Sequence, residues 1–359
     1  MEPSFGYSFP AIRGVQAKRE YYVSMCPLRL IPRIFSFDSE ELPPEMRAQR
    51  NLNEARIPDL KQYILDNSED YVFSALTASI DADVHFDSVG EGEAQRIGIL
   101  RVPMDARFII NDGQHRRAAI EAALRDNPSL GYETIAVVFF MDRGLKRCQQ
   151  MFADLNRYAV RPSPSIGVLY DHRDSIATLT REMIFNSKLF RDLVETEKSS
   201  LSTRSRKLFT LSSLYTANRD LVRGWEGMEI EEAVRKVQDF WEELARYIPE
   251  WNLVHERKIT AGEVRRDFLH SHSLFLQAMA RMGHMLIEED GWRSRMTKVA
   301  EVDWSRSNSL WEGRSLLNGR LRKSHRNVVL TTNVIKHVMD LELTEAEQKT
   351  ETEYTKALS

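Results

Sequence analysis

Residues 108–124 read FIINDGQHRRAAIEAAL, and this stretch decides the fold of the first half of the chain. It opens with the apolar run Phe108-Ile109-Ile110, which is typical of a short buried strand. Asp112-Gly113 is a turn signal, and the alanine-rich run 118–124 favours a helix. The pattern predicts a strand, a tight turn and a helix in direct succession.

Strands and helices alternate on both sides of this junction. Strands are predicted where β-branched, aromatic and other apolar residues cluster, at 21–23, 28–31, 71–75, 84–86, 97–102 and 135–140. Helices are predicted at 57–64 and 145–155, where apolar residues recur at helical spacing, and the segment 90–92 predicts a hairpin loop. We therefore expect an α/β or α+β domain over residues 1–174.

Beyond residue 175 the pattern is almost wholly helical. Apolar stripes occupy 176–184 and 234–244, and the capping-box spacing of Thr260 and Glu263 predicts a helix that extends to Met279. All six tryptophans lie in this half, and we interpret them as packing anchors. We expect a helical domain over 175–340 that supplies DNA or partner contacts, followed by a charged, frayed tail over 341–359.

The composition excludes several classes of protein. The 359 residues include 50 Lys and Arg against 53 Asp and Glu, so the net charge of −3 provides no global positive field for nucleic acid. The two cysteines, Cys26 and Cys148, form no disulfide framework or thiolate metal cluster. No secretory h-region or long apolar window occurs, so we expect a cytoplasmic protein that binds neither membrane nor metal cluster.

The turn after the strand at 108–110 is a candidate anion site. Backbone N–H groups at the start of a helix attract anions, and Gly113 permits a close approach. Candidate phosphate contacts come from six consecutive residues: Asp112, Gly113, Gln114, His115, Arg116 and Arg117. The plainer alternative is a helix start whose arginines are merely solvated, and the residues by themselves leave both interpretations open.

These residues also resemble a known motif. Ile110 to Arg116, IND-GQHR, is similar to the motif of the DGQHR-domain family, whose best-known members are the DndB proteins encoded with DNA phosphorothioate-modification genes. The resemblance extends to 9–16, 49–52 and 152–163, so it covers nearly the whole chain. It implies a first domain distantly similar to the ParB/sulfiredoxin fold, an α+β domain with a mixed sheet. In that superfamily a comparable strand–turn–helix element binds nucleotide phosphate.

The resemblance implies a regulatory function. Proteins similar to DndB are DNA-binding transcriptional regulators, or repressors, of the modification operon, and ATP or another nucleotide modulates their binding. We therefore expect promoter DNA as a partner, with other modification proteins and a second copy of the chain as further candidates. The sulfur-transfer chemistry belongs to other proteins of the gene set. No P-loop sequence occurs, so a nucleotide would bind without one.

A second polar segment could complete a phosphate pocket. It contributes Asn156, Arg157, Arg161 and Ser163, on a stretch stiffened by Pro162. The alternative is an interdomain connection with paired surface charges. The family resemblance favours the pocket.

Two other functions remain open. Asp112 or His115 could polarise a water while Arg116 holds phosphate, which would make the protein a slow nucleotide hydrolase or a nuclease. A third possibility is an assembly factor of the modification complex that does not bind DNA. Promoter footprinting with and without ATP separates the three.

Two acid-free segments are candidates for DNA phosphate contacts. Residues 198–207 and 313–327 both lack acids, and their cationic residues are Lys198, Arg204, Arg206 and Lys207 in the first and Arg314, Arg320, Arg322, Lys323 and Arg326 in the second. The alternative is a flexible loop and an exposed helix face. We interpret His270, His272 and His284 as core or surface residues and not as metal ligands.

Overall fold

The chain divides into two compact units, residues 1–160 and 161–359. The structure is a computed structural model that describes residues 6–35, 52–141, 145–157 and 162–358. The sequence placed the domain boundary at residue 174, whereas the segment 161–174 falls in the second unit. A mixed sheet in the first unit and mostly helices in the second confirm the predicted α+β fold class.

The first unit is built on a seven-stranded sheet. Its strands are β1 (Gly6–Gln16), β2 (Arg19–Pro27), β3 (Leu76–Asp81), β4 (His85–Ser88), β5 (Ile97–Pro103), β6 (Arg107–Asp112) and β7 (Thr134–Phe140). They lie in the order β4-β5-β1-β2-β7-β3-β6. Neighbours are antiparallel except β3 and β7, which are parallel. The predicted hairpin joins β4 to β5.

Four α-helices accompany the sheet among the described residues of this unit. They are α1 (Ile31–Ile34), α2 (Ile57–Asp66), α3 (Gln114–Asp126) and α4 (Leu145–Arg157). The predicted helices at 57–64 and 145–155 are confirmed as α2 and α4, and α2 carries Pro58 in its first turn, where the missing N–H costs no hydrogen bond.

Two of the predicted strands are wrong. Residues 28–30 form a 3₁₀ turn, and Ile31 begins α1, whose first turn tolerates Pro32. Residues 71–75 precede β3 and join no strand. The carbonyls of Ser74 and Ala75 accept hydrogen bonds from the Arg116 side chain, which replaces a neighbouring strand as their partner.

One face of the sheet carries the core of the first unit. The rings of Phe35, Phe108 and Phe139 pack together there, and Ala119 and Ile120 of α3 belong to the same buried cluster. Side chains alternate across a strand, so residues next to the core positions of β3 and β6 face the other side, where α4 lies. The turn between β6 and α3 is therefore anchored from both faces.

The second unit is mostly helical. Its helices are α5 (Pro164–Tyr170), α6 (Ser175–Asn186), α7 (Lys188–Leu193), α8 (Leu211–Leu221), α9 (Ile230–Arg246), α10 (Pro249–His255), α11 (Ala261–Asp267), α12 (Ser273–Leu286), α13 (Trp292–Met296), α14 (His325–Val338) and α15 (Glu345–Leu358). Two short strand pairs complete it: β8 (Val194–Glu195) with β9 (Phe209–Thr210), and β10 (Leu316–Leu317) with β11 (Arg320–Leu321). No helix of the described residues is long and apolar enough to cross a membrane.

The tryptophans anchor the core of the second unit, as the sequence predicts. Trp241, Trp251 and Trp311 are fully buried, and Trp292 and Trp304 are nearly so. The sixth, Trp225, packs against the same cluster while partly exposed.

The helix predicted from Thr260 to Met279 is two helices. The capping box at Thr260 is present, but α11 ends at Asp267 because Phe268 is extended and bridges to Ser305. The Leu269 N–H donates to the Trp304 carbonyl at 2.9 Å, which takes the chain out of the helical ladder. His270 and His272 therefore lie between α11 and α12.

The segment predicted to be a frayed tail is instead the helix α15. Two ion pairs fix it: Lys336 Nζ lies 2.7 Å from Glu347 Oε2, and Arg314 Nη2 lies 2.5 Å from Glu351 Oε1. The Arg314 guanidinium also stacks over the Tyr354 ring, 4.4 Å from its centroid. The acidic residues that predict a solvated tail include Glu347 and Glu351. They lie four residues apart on the same face of α15, and both pair with cations of the second unit.

Candidate functional site

The turn between β6 and α3 requires a glycine. Gly113 has φ 108°, in the left-handed region that side chains disfavour. A Cβ there would lie 2.4 Å from Leu76 Cδ2, closer than atoms can pack. The predicted strand–turn–helix junction is thus confirmed, and the glycine both reverses the chain and allows β3 to approach.

Arg116 is an internal clamp in this turn. Its guanidinium donates to the Ala75 carbonyl at 2.7 Å, to Ser74 Oγ at 2.7 Å, and to Asp112 Oδ2 at 2.6 Å. These contacts tie α3 to the segment before β3. The Arg116 guanidinium, a candidate phosphate contact in the sequence, is therefore already hydrogen-bonded to a hydroxyl, a carbonyl and a carboxylate of the protein.

Arg117 makes a second set of internal contacts, from α3 to α1 and the residue that follows it. Its Nε donates to the Phe35 carbonyl at 3.0 Å and its Nη2 to the Pro32 carbonyl at 3.1 Å, and Nη1 pairs with Glu121. Burial lowers the pKa of the Arg117 guanidinium below its ordinary value, and the neighbouring Glu121 opposes that shift. The side chain secures the end of α1, so it faces the interior of the unit.

The other motif residues have partners of their own. His115 Nε2 accepts a hydrogen bond from the Asn53 backbone N–H at 3.0 Å, which places the proton of a neutral ring on Nδ1. Gln114 is buried, and its amide lies 3.4 Å from the Ile110 carbonyl. Asp112 is half-exposed and paired with Arg116. In this geometry neither Asp112 nor His115 Nε2 is positioned as an uncommitted general base.

A buried polar contact that the sequence analysis missed supports the turn from the other face. Asn111 is fully buried, and its Nδ2 lies 2.6 Å from Ser79 Oγ and 3.0 Å from Met151 Sδ of α4. Its side-chain amide oxygen, Oδ1, is buried without a hydrogen-bond partner among the described residues. A polar residue at the end of an apolar strand was the signal available for this contact.

The segment predicted to complete the phosphate pocket is only partly described. Arg157 is exposed at the end of α4, whereas the Asn156 side chain and all of Arg161 lie outside the described residues. Ser163 caps α5 in the second unit, where its hydroxyl accepts from the Ile166 N–H at 3.2 Å and donates to the Glu197 carbonyl. Ser163 thus has a local structural role.

The first basic segment, residues 198–207, is an ordered loop of the second unit. Lys198, Arg204 and Arg206 are exposed, whereas Lys207 Nζ donates to the Asp192 carbonyl at 2.9 Å. Arg265 of α11, which the sequence analysis did not identify, donates to loop carbonyls at Ser202, Thr203, Ser205 and Lys207.

The helix α11 also packs closely against this loop. A Cβ at Gly262 would lie 2.6 Å from the Thr203 carbonyl oxygen, so glycine permits α11 to approach the loop. One guanidinium and one helix thus hold the backbone of this loop.

The second basic segment, residues 313–327, is divided between two roles. Arg320, Arg322, Lys323 and Arg326 are exposed. Arg314 pairs with Glu351 and stacks on Tyr354, so its charge is used to hold α15.

Of the histidines near α12, His270 is buried, whereas His272 and His284 are partly buried. His270 accepts from Trp251 Nε1 at 3.2 Å, and His284 Nδ1 lies 3.1 Å from the Leu221 carbonyl. His272 Nε2 lies 2.8 Å from the Arg265 carbonyl, and burial lowers the pKa of His272 to about 4. Each of the three histidines thus has a hydrogen-bond partner within the second unit.

Comparison with known proteins identifies the family. No curated protein matches this sequence. A family model described as DndB, DNA-sulfur modification-associated, matches residues 9–342, which includes the Gly113 turn and both basic segments. With that extent of match, the chain belongs to the DndB family of DNA-sulfur modification-associated proteins.

Proposed function

We propose that this protein binds promoter DNA and regulates the genes of DNA phosphorothioate modification. The observation that carries the proposal is the ordered basic loop 198–207, in a chain whose family is associated with DNA-sulfur modification. Other modification proteins are further candidate partners, as is a second copy of the chain.

The loop has the chemistry that a DNA backbone requires. Lys198, Arg204 and Arg206 are exposed, and among the described residues no carboxylate lies within ion-pair distance of them. Hydroxyl groups and free cations are the usual phosphate donors, and the loop supplies both. Because the net charge of the chain is −3, attraction to DNA must be local.

The second basic segment supports the proposal with four exposed cations, Arg320, Arg322, Lys323 and Arg326. Arg314 is excluded from the proposed DNA contacts because Glu351 already neutralises it. Substitution of Arg314 should therefore affect the stability of the second unit more than its DNA affinity.

The salt dependence of promoter binding tests the loop. In the double variant Arg204→Ala/Arg206→Ala we expect weaker binding and a log–log salt slope that is shallower by about one to two, since each lost phosphate contact removes roughly one released counterion. Lys349→Ala, an exposed cation on α15, is the control and should leave the slope unchanged. An unaltered slope in the double variant would exclude the loop as the DNA contact.

We further propose that a nucleotide such as ATP modulates DNA binding through the Gly113 turn. Gly113 gives α3 no side-chain cap, so the first N–H groups of that helix are the donors a phosphate would meet. Arg116 and Arg117 would keep their internal partners.

Promoter affinity measured with and without ATP tests this coupling. We expect ATP to change the affinity by about fivefold or more, and His115→Ala, beside the turn, to reduce that effect. The control is His85→Ala, an exposed histidine of β4. Equal affinities with and without ATP would refute the nucleotide coupling while leaving DNA binding itself intact.

A further inference from the structure

The second unit contains a cavity of about 470 Å³ that neither the turn nor the DNA contacts use. Its walls are the loop around Ser199–Thr203, the start of α8, one side of α11 and the start of α12. Seven of its lining residues carry hydroxyl groups, and none carries a carboxylate. The lining thus offers hydrogen-bond donors without a negative charge.

Arg265 gives this cavity a positive charge that lacks a counter-ion. Arg265 is one of the lining residues and is half-buried, and all hydrogen bonds of its guanidinium go to neutral carbonyls of the loop. No carboxylate of the described residues pairs with it, whereas its neighbour Arg266 is paired with Asp267. A cation in such surroundings favours an anion nearby.

The N-terminus of α12 opens on the same cavity. This helix has 14 residues, and its N-cap residue His272 provides no side-chain hydrogen bond to the first turn. His272 and Ser273 both line the cavity. Uncapped N–H groups at the start of a helix of this length attract oxyanions.

Ser271 supplies an independent observation. It is 5% exposed, it lines the cavity, and its Oγ is buried without a hydrogen-bond partner among the described residues. A buried hydroxyl without a partner is costly, and because Ser271 belongs to the cavity lining, a rotation of its side chain would let the hydroxyl donate to a ligand oxygen there.

We propose that this cavity binds a phosphoryl oxyanion, which Ser271, the first turn of α12 and the positive charge of Arg265 hold together. The cavity has room for more than one phosphate group, so a phosphorylated molecule or a nucleic-acid phosphate with its neighbours fits it. The proposal does not depend on the Gly113 turn or on DNA regulation.

Calorimetric titration of the full chain with inorganic pyrophosphate at constant ionic strength tests the site. The wild type should bind pyrophosphate, and Ser271→Ala should bind it about tenfold more weakly because a hydrogen bond to a charged group is lost. Without ligand, Ser271→Ala should be as stable as the wild type or more so, since it removes an unsatisfied hydroxyl. Ser175→Ala, an exposed serine of α6 outside the cavity, should bind as the wild type does.

A second variant removes a backbone donor and keeps the helix. Proline is tolerated at the first position of a helix, and His272 is already extended, with ψ 148°, as a residue before proline must be. Ser273→Pro should therefore fold and also bind pyrophosphate more weakly. The proposal is overturned if wild-type protein does not bind pyrophosphate, or if both variants bind it as tightly as the wild type does.

Duplex DNA distinguishes the source of the phosphate. If a DNA phosphate occupies the cavity, pyrophosphate competes with the duplex and Ser271→Ala weakens both. If a free phosphorylated molecule is the ligand, Ser271→Ala weakens pyrophosphate binding and leaves DNA affinity unchanged. Absent DNA binding with retained pyrophosphate binding would refute the proposed regulatory function and leave this site standing.

Discussion

Gly113 is the residue on which the turn depends. Gly113→Ala should lower the free energy of unfolding of the first unit by about 2–4 kcal/mol, from left-handed backbone strain together with overpacking against Leu76. Urea denaturation followed by circular dichroism measures the loss. Gly167→Ala is the control: this glycine lies in α5 with no atom within 4 Å of a built Cβ, so its stability should stay within about 1 kcal/mol of wild type.

His272 gives the second unit a pH dependence whose sign follows from its burial. The folded pKa is lowered to about 4, first by burial and also by nearby Arg306 and His270, although the Arg265 carbonyl opposes this. In the unfolded chain the ring takes up its proton near its ordinary pKa of about 6.5. Between these values the unfolded state binds more protons, so stability falls as the pH falls, by up to about 3 kcal/mol.

His272→Gln tests that assignment. A glutamine amide can still donate to the Arg265 carbonyl but does not titrate. Denaturation monitored from neutral pH down to about pH 4 should show a shallower loss in the variant than in the wild type. The same slope in both proteins would assign the pH dependence to another group.

At the scale of elements, the α14–α15 pair depends on a buried ion pair. Lys336 is 2% exposed and holds Glu347 through two hydrogen bonds. Burial alone would raise the pKa of Glu347, but the bonds from Lys336 and the Thr344 N–H lower it below its ordinary value. The contribution of the pair is therefore present at neutral pH and is lost as the pH falls through that lowered pKa.

Glu347→Gln should destabilise the second unit by about 3 kcal/mol because it leaves the Lys336 ammonium buried without its partner. The double variant Lys336→Met/Glu347→Leu should recover most of this loss, since an apolar pair of similar volume replaces the charges. Glu345→Gln, on the exposed side of α15, is the control. Urea denaturation measures all three, and equal losses in Glu347→Gln and Glu345→Gln would show that the pair contributes nothing.

Elements with a strong local pattern were predictable, and those fixed by distant contacts were not. The Gly113 junction, α2, α4 and the capping box at Thr260 follow from spacing and turn chemistry. The break between α11 and α12 depends on the Trp304 carbonyl, and the loss of a strand at 71–75 depends on Arg116. Neither partner is close in sequence, so no periodicity could reveal them.

The same limit applied to the candidate site. The motif residues were identified from their order, but the partners that occupy Arg116 and Arg117 are carbonyls, which carry no sequence signal. Arg265 was missed because a single arginine in a helix is ordinary until its loop is in place.

At the scale of the whole molecule, the two units have separate cores, and all six tryptophans lie in the second. Tryptophan fluorescence should therefore report the unfolding of residues 161–359 alone. We expect Gly113→Ala to shift the circular dichroism transition of the first unit and leave the fluorescence transition unchanged.

Leu244→Ala, in the core of the second unit, is the reciprocal variant and should shift the fluorescence transition. An equal shift of both signals in Gly113→Ala would mean that the units unfold as one cooperative body.

Arg265 donates hydrogen bonds to four carbonyls of the basic loop. This order in the free protein affects the thermodynamics of the DNA binding that we propose. A loop that is already ordered loses little conformational entropy on association, because that loss occurred when the chain folded. Binding should then show a small heat capacity change, unlike the large negative change of a segment that folds on its target. The loop backbone is already in place, so only the side-chain rotamers of its exposed arginines need to adjust when they contact the DNA backbone.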